Sequence, residues 1–587
     1  MTNLEIAELL RAIAASLELK DVTKNKFRII AYQRAADAVE HASSELKDLW
    51  DEEKLEDVPG IGDSIASNLD EIFRTGTSKH FEEIMKGLPP SMFKLMELPG
   101  IGAKTGFRLS KELGIDNLKE LEIAAKKGKI AKLPGFGHKS EEEILQTVKQ
   151  TKGKVKRHLL PYAQNVADEI ISWVKLEKSV KKIDVLGSLR RKASTIGDID
   201  ISVSTTDPKA VLERFVAYPK AVKTIEKGDK TSSILLPGNL QVDIMVQPLE
   251  SYGSLLQHFT GSKHHNIALR EYALKKGMSL SEYGIKIGGK TLKFKSEEDF
   301  YNKVGMDYIP PELREDTGEI EAAINHKLPN LIELSDIKGD LQIHSDFDIE
   351  TSHDLGLSTM EEIVEKANIL GYQYLAFSEH NPSKSGHNDR QMVEILKRKR
   401  EKVDQLNYSI KKSGKYGVMK VFNSLEIDML TEGGIPVPDE GLETLDFALI
   451  SLHSSFRMNK NEMTKRILSS FVHPKVKIFA HPTGRKLGER EGAEIDWQKI
   501  FEFVKKENKF IEINADPMRL DLPDFLVKEA IDSGVMLTLG TDSHHVDSMD
   551  NMQYGVSVAR RGWATKDNIL NSLGLKEFEN KLNLNSS

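Results

Sequence analysis

Asp198 and Asp200 stand two apart in the Ile/Val-rich run that follows Gly187-Ser188-Leu189-Arg190-Arg191, and Asp243 sits in a second such run, Leu240-Gln241-Val242-Asp243-Ile244-Met245-Val246. Side chains at i and i+2 of a strand share a face, so the first two carboxylates meet in one small volume. Like charges so close are costly unless a cation lies between them, and oxygen donors suit magnesium or manganese. Upstream, Gly187 and Ser188 offer an open turn and a hydroxyl, while Arg190 and Arg191 offer guanidinium forks; such groups hold a triphosphate. Acids alternating with apolar residues also occur on any half-exposed strand. The Gly-Ser and Arg-Arg pairs, with the second acidic strand, tip the reading to two-metal phosphoryl transfer.

A second set of residues able to do chemistry lies toward the other end of the chain. Apolar runs end in Gln342-Ile343-His344, Ser378-Glu379-His380, Leu425-Glu426, Leu452-His453, Ala480-His481-Pro482 and Thr541-Asp542-Ser543-His544, with helical patterns between them. That alternation predicts a β/α barrel, whose active groups sit at the C-terminal ends of its strands. A lone histidine after a strand is usually structural. His344, His380, His453, His481 and His544 at successive strand ends, with Glu426 and Asp542, predict instead a cluster of two or three metal ions.

The elements that must position these groups form several domains, since 587 residues with 39% hydrophobic content exceed one core. Residues 1–88 read as short amphipathic helices. Gly60-Ile61-Gly62, Gly100-Ile101-Gly102 and Gly135-Phe136-Gly137 each precede a helical pattern, at intervals of roughly 35 to 40 residues. Such a turn presents backbone N–H groups at a helix start, which grip a phosphate without reading a base. One copy alone would be a plain helix–helix turn; three point to DNA backbone binding, and Lys149, Lys152, Lys154, Lys156 and Arg157 extend that basic track. The net charge of −7 argues against a protein that coats DNA, yet averages over domains. The sequence has no cysteine, which excludes disulfides and thiolate metal sites. Acidic residues at the start and the lack of a long apolar run point away from a signal peptide and a membrane span, and to a cytoplasmic protein.

Gly-Ser followed by Gly197-Asp198-Ile199-Asp200 resembles the nucleotidyltransferase superfamily, and Arg191 with Phe259-Thr260-Gly261-Ser262 resembles the family X DNA polymerases. The resemblance implies that Asp198, Asp200 and Asp243 are catalytic and bind magnesium or manganese. It implies that Gly187, Ser188, Arg191, Gly197, Phe259, Gly261, Asn266 and Arg270 bind the nucleotide and its template partner. Gly60, Gly62, Gly100, Gly102, Gly135 and Gly137 would then bind DNA as helix-hairpin-helix turns. His258 stands where tyrosine is common, and Gln241 replaces an arginine beside the third acid. Arg28 and Tyr32 match the family's 5′-phosphate contacts, but Asn68 holds the place of its lyase lysine and Ser64 that of a supporting lysine, so no lyase is expected there. Tyr308-Ile309-Pro310-Pro311-Glu312-Leu313-Arg314-Glu315 resembles the end of the thumb in bacterial members without naming any chemistry.

The second half resembles the PHP (polymerase and histidinol phosphatase) domain. That implies two or three manganese or zinc ions held by His344, His380, Glu426, His453, His481, Asp542 and His544, and 3′–5′ exonuclease or phosphatase activity. Gln342 replaces the first histidine of the usual opening, Glu379 stands where aspartate is common, and Asp348 or Asp354 takes the place of a displaced aspartate. The expected layout is a multidomain α/β chain: a lyase-like helical domain at 1–88, a helix-hairpin-helix subdomain at 89–150 and a palm at 151–245. A thumb at 246–325, a linker at 326–335 and a PHP barrel at 336–575 follow. Gapped or primed DNA and dNTPs are the expected partners of a monomer that does not touch membrane. A template-independent nucleotidyltransferase, or a polymerase with a degraded and merely structural PHP barrel, are the competing readings.

Overall fold

The computed structural model describes residues 3–41, 46, 50, 55, 58, 60–96, 98, 101–151, 157–416 and 419–584. They form two compact units, one from Met1–Leu189, Thr195–Leu249 and Gly488–Arg490, the other from Arg190–Ser194, Glu250–Leu487 and Glu491–Ser587. Among the described residues no helix is long and apolar enough to cross a membrane.

The first unit begins with helices whose apolar residues recur every three to four positions. In α1 (Asp63–Thr75), Ile65, Leu69 and Ile72 share one buried face and meet Tyr32, Phe81 and Ile84. Helices α2 (Ala103–Leu113) and α3 (His138–Thr151) bury Leu109, Ile144 and Val148 around Ile115, Leu121 and Ile130. A five-stranded sheet follows, with β1 (Val180–Val185), β2 (Asp198–Thr205), β3 (Lys223–Lys227), β4 (Thr231–Leu235) and β5 (Gln241–Val246) in the order β1-β2-β5-β4-β3. Only the central pair β2 and β5 is parallel; β5 alternates throughout and β2 over its first four residues, turning Ile199, Ile201, Val242 and Ile244 into the core and their acids out.

In the second unit, helices α4 (Tyr252–Thr260) and α5 (Lys263–Lys275) pack with a small antiparallel sheet around Leu269, Ile285, Phe300, Tyr301, Ile309 and Leu313. Parallel strands then alternate with helices: β6 (Gly339–Ile343), β7 (Tyr374–Phe377), β8 (Lys420–Asn423), β9 (Glu426–Asp428), β10 (Ala448–Ser451), β11 (Val476–Phe479), β12 (Phe510–Asn514) and β13 (Leu537–Gly540). Two seams close them into a barrel. At one, Glu426 N donates to Glu379 O at 3.0 Å; at the other, Asp542 N donates to Gln342 O at 2.9 Å and His344 N to Ser543 O at 2.8 Å. The strands are near-continuously apolar because helices cover one face and the barrel core the other.

Two expected boundaries change. The segment 326–335 is not a free polar bridge: Ile332 is fully buried in the barrel core and its N–H donates to Ala564 O at 2.9 Å. Its Leu331-Ile332 pair is apolar enough to be drawn in. The barrel also extends beyond residue 575, because α8 (Leu575–Leu582) stacks Phe578 on Tyr374 with ring centroids 4.3 Å apart. Helices α6 (Asp389–Ser413) and α7 (Met552–Arg561) flank the same barrel.

Candidate functional sites

The parallel register of β2 and β5 sets Asp198 opposite Gln241 and Asp200 opposite Asp243. Gly187 turns with φ +56°, and a Cβ there would meet Asp200 Oδ2 at 2.8 Å, so only glycine lets the turn lie against that carboxylate. Leu186 N donates to Asp200 O at 2.8 Å and ties the same turn to the strand. The Gln241 amide donates to both oxygens of Asp243 at 3.0 Å, which shows what the residue in the arginine's place does. The three carboxylates are aligned by register but not gathered: the described groups of three or more ligand atoms within 4.8 Å of one another all lie in the barrel. An all-oxygen set on the sheet's polar face, with Asp198 exposed, fits a hard divalent cation that keeps water and phosphate ligands.

Ser188 is half-buried and Gly197 buried beside the acids, whereas Arg191, Phe259, Gly261, Asn266 and Arg270 belong to the second unit. There Asn266 Nδ2 donates to His258 O at 2.8 Å and Gly261 O at 3.2 Å, clasping the turn between α4 and α5. A Cβ on Gly261 would lie 2.5 Å from the His265 ring. Phe259 packs edge-on against His258 at 4.8 Å, and burial, with Arg270 nearby, holds the His258 imidazole below its ordinary pKa despite Glu282. Arg270 is exposed.

Inside the barrel the strand ends bring all seven predicted ligands into overlapping groups: His344, His380 and His544; His344, Glu426 and Asp542; Glu426, His453 and His481. A fourth group adds two residues that sequence reading missed, His353 and Asp428, beside His380 and His453. Asp428 bridges His353 at 2.6 Å and His453 at 2.5 Å. Neither aspartate expected from the 346–354 stretch joins a group; Asp348 accepts the Glu350 N–H instead, and His353 occupies the cluster. Glu379 also turns away, pairing with the buried Lys399 at 2.5 Å and accepting the Ser345 hydroxyl at 2.5 Å. Gln342 donates to Glu426 Oε2 at 2.8 Å and so braces a predicted ligand.

The fit to metal is visible in the nitrogens. Both ring nitrogens of His344, Nδ1 of His380 and His481, and Nε2 of His544 are buried without hydrogen-bond partners. His344 Nε2 lies 3.3 and 3.2 Å from Glu426 and Asp542 without hydrogen-bond alignment, as ligands converge on a cation rather than on each other. Burial pushes His380, His453 and His544 below the usual imidazole pKa, leaving lone pairs for coordination at neutral pH.

At the N-terminal helices, Gly60 and Gly135 take positive φ of +85° and +82°, and Gly62, Gly102 and Gly137 have no atom within 4 Å of an added Cβ. Gly62 and Gly102 cap α1 and α2 with no side-chain hydrogen bond, so the helix starts face open space. Gly100, Lys152, Lys154 and Lys156 lie outside the described residues, as does the side chain of Lys149. Arg157 donates to Thr195 Oγ1 at 2.8 Å, tying two short palm strands together. Asn68 is held by Ser64 O and the Ser78 hydroxyl, at 2.6 and 2.8 Å.

Comparisons with known proteins agree with these elements. Residues 1–78 match a helix-hairpin-helix domain, 93–150 a SAM-like helix-hairpin-helix tandem, and 255–315 the DNA polymerase beta thumb. The chain is 35% identical over 583 residues to the DNA polymerase/3′-5′ exonuclease PolX of Bacillus subtilis (strain 168), covering 99% of each. The chain belongs to the family X DNA polymerases. DNA polymerase lambda of Rattus norvegicus is 24% identical over 53% of this chain and 56% of its own. A probable phosphatase of Thermoanaerobacter sp. (strain X514) is 26% identical over 37% of this chain and 84% of its own.

Proposed function

We propose that this protein is a DNA-directed DNA polymerase that fills short gaps during repair and carries a 3′–5′ exonuclease of the PHP type in its barrel. The observation that carries the reading is the parallel register that faces Asp200 to Asp243 with Asp198 on the same strand. The full-length similarity to a polymerase/exonuclease supports it. Asp198, Asp200 and Asp243 would hold magnesium or manganese, and the barrel groups two or three manganese or zinc ions. Bound there, divalent ions supply charge neutralisation for attack of a primer 3′ hydroxyl on a dNTP α-phosphate, with pyrophosphate leaving, and activation of water for 3′-end hydrolysis.

The chain's own residues do the rest. Gly187, Ser188, Gly197 and Arg191 cradle the triphosphate; Phe259 and Gly261 face the sugar, Asn266 the minor-groove edge of the base, and Arg270 the template strand. The open helix starts at Gly62, Gly102 and Gly137 take DNA phosphates. Gapped or primed DNA and dNTPs are the substrates of a monomer in the cytoplasm, a reducing compartment that suits a chain without cysteine.

A gapped-DNA assay with each dNTP in turn tests this. Wild type should extend only with the complementary dNTP, and Asp200→Ala should lose about a thousandfold or more. Manganese-dependent 3′ digestion should survive Asp200→Ala and disappear in His453→Ala. Extension that ignores the template would mark a template-independent transferase, and digestion indifferent to His453 would leave the barrel a scaffold.

A further inference from the structure

The segment Tyr308–Glu315 carries a pattern to which the polymerase reading gives no task, yet its side chains divide sharply between two directions. Arg314 turns inward, fully buried, with Nη1 2.5 Å from Glu297 and Nε donating to Ile309 O at 2.8 Å. Glu312 and Glu315, with Thr317 just beyond the segment, turn the other way, onto the C-terminal end of α7 on the barrel. Arg560 Nε meets Glu312 at 2.8 Å, Arg561 Nη1 meets Glu315 Oε1 at 3.0 Å, and Trp563 Nε1 donates to Thr317 Oγ1 at 3.2 Å.

Glu315 Oε1 is shared. Arg191 Nε approaches the same oxygen at 2.8 Å, and Arg561 Nη1 also donates to the main-chain carbonyl of Arg191 at 2.8 Å. Arg561 is itself fixed by Asp524, at 2.8 Å from Nε and 2.6 Å from Nη2, and is only 9% exposed. Arg191 Nη1 donates onward to Thr260 O at 2.7 Å, between Phe259 and Gly261. One barrel arginine thus sets both the backbone of Arg191 and the charge available to its guanidinium.

We propose that Arg561 is a positioning residue for polymerisation: it draws off part of the Glu315 charge, so that the Arg191 guanidinium stays available to the dNTP triphosphate. The inference rests on the reading of Arg191 as a triphosphate ligand. Without Arg561, Glu315 has a single guanidinium to neutralise and competes with the incoming phosphates for Arg191. Without the Glu315 charge, that competition ends. The two substitutions therefore move dNTP affinity in opposite directions, whereas a merely structural joint would move it the same way.

Steady-state gap filling by the full-length protein decides the matter. R561A should raise the dNTP KM about five-fold with kcat within about two-fold, and R561K should recover much of the loss. E315Q should lower KM by about two-fold, and R561A/E315Q should return toward wild type. Barrel 3′ digestion, in which Arg561 has no part, serves as the folding control. If R191A raises KM but R561A and E315Q leave it unchanged or shift it together, the relay is wrong. If R191A leaves KM unchanged, the assignment of Arg191 itself falls and takes the relay with it. Should R561A not fold, E315Q alone decides by the sign of its KM shift.

Discussion

Glu297 holds two guanidiniums away from water at once: Arg314 Nη1 at 2.5 Å and Arg190 Nη2 at 2.6 Å, with the carboxylate only 4% exposed. Burial pushes its carboxyl pKa up, but Arg314 and Arg190 outweigh it and hold the group below its ordinary range. Removing Arg314 leaves the buried Glu297 with Arg190 as its partner, so Arg314→Met should cost less than the ~3–5 kcal/mol of a wholly broken buried pair, read in urea unfolding of the unit that contains it. Because the folded pKa is depressed, this stability is present above about pH 4.3 and lost as pH falls through the folded value. Glu297→Gln should therefore flatten the acid limb of a stability–pH curve. None of this was legible in the sequence, where Arg190 and Arg314 stand far apart and Glu297 is one acid of several. The clustering of the barrel histidines and acids was legible because each follows an apolar run. Asp428 could have been found as well: it lies two residues past Glu426 on β9, by the spacing that pairs Asp198 with Asp200. His353 comes from a loop with no periodicity to flag it, and the diversion of Glu379 to Lys399 depends on a helix that only the folded chain brings near.

The glycine turns show what an element contributes beyond its residues. Gly102 sits at φ −76° and ψ 175°, a backbone that any residue adopts, with no atom within 4 Å of an added Cβ. Its value is therefore openness rather than conformational freedom, unlike Gly60, whose positive φ restricts other residues. An aspartate at Gly102 would cap the start of α2 and stabilise it by up to about 1 kcal/mol, while placing a negative charge where a DNA phosphate would bind. Gly102→Asp should thus melt no lower than wild type yet bind DNA more weakly, with the slope of log K against log salt reduced by about one. Equal salt slopes for the two proteins would remove this helix start from the DNA contact. The repeat itself was plain in the sequence. The open space before three of the glycines was not, because it depends on which neighbouring side chains fold across them.

At the scale of the whole molecule, the two sets of candidate metal-binding residues differ in donor chemistry. The palm offers oxygens alone, aligned by strand register on a sheet face; the barrel offers buried imidazoles around Glu426 and Asp542. A buried nitrogen without a hydrogen-bond partner destabilises the fold unless a cation takes its lone pair, so the barrel should gain far more from metal than the palm does in the absence of dNTP. The two units have separate cores, and calorimetry should resolve their unfolding. Manganese should raise the transition of the barrel-containing unit, by about 2.7 kcal/mol at a hundred times the dissociation constant, and chelator should lower it. Asp200→Ala should leave that shift intact and His453→Ala should shrink it. A manganese shift of equal size in both transitions would mean that the palm acids bind metal as tightly alone as the histidine cluster does. Their register would then be a finished site rather than one that the bound triphosphate completes.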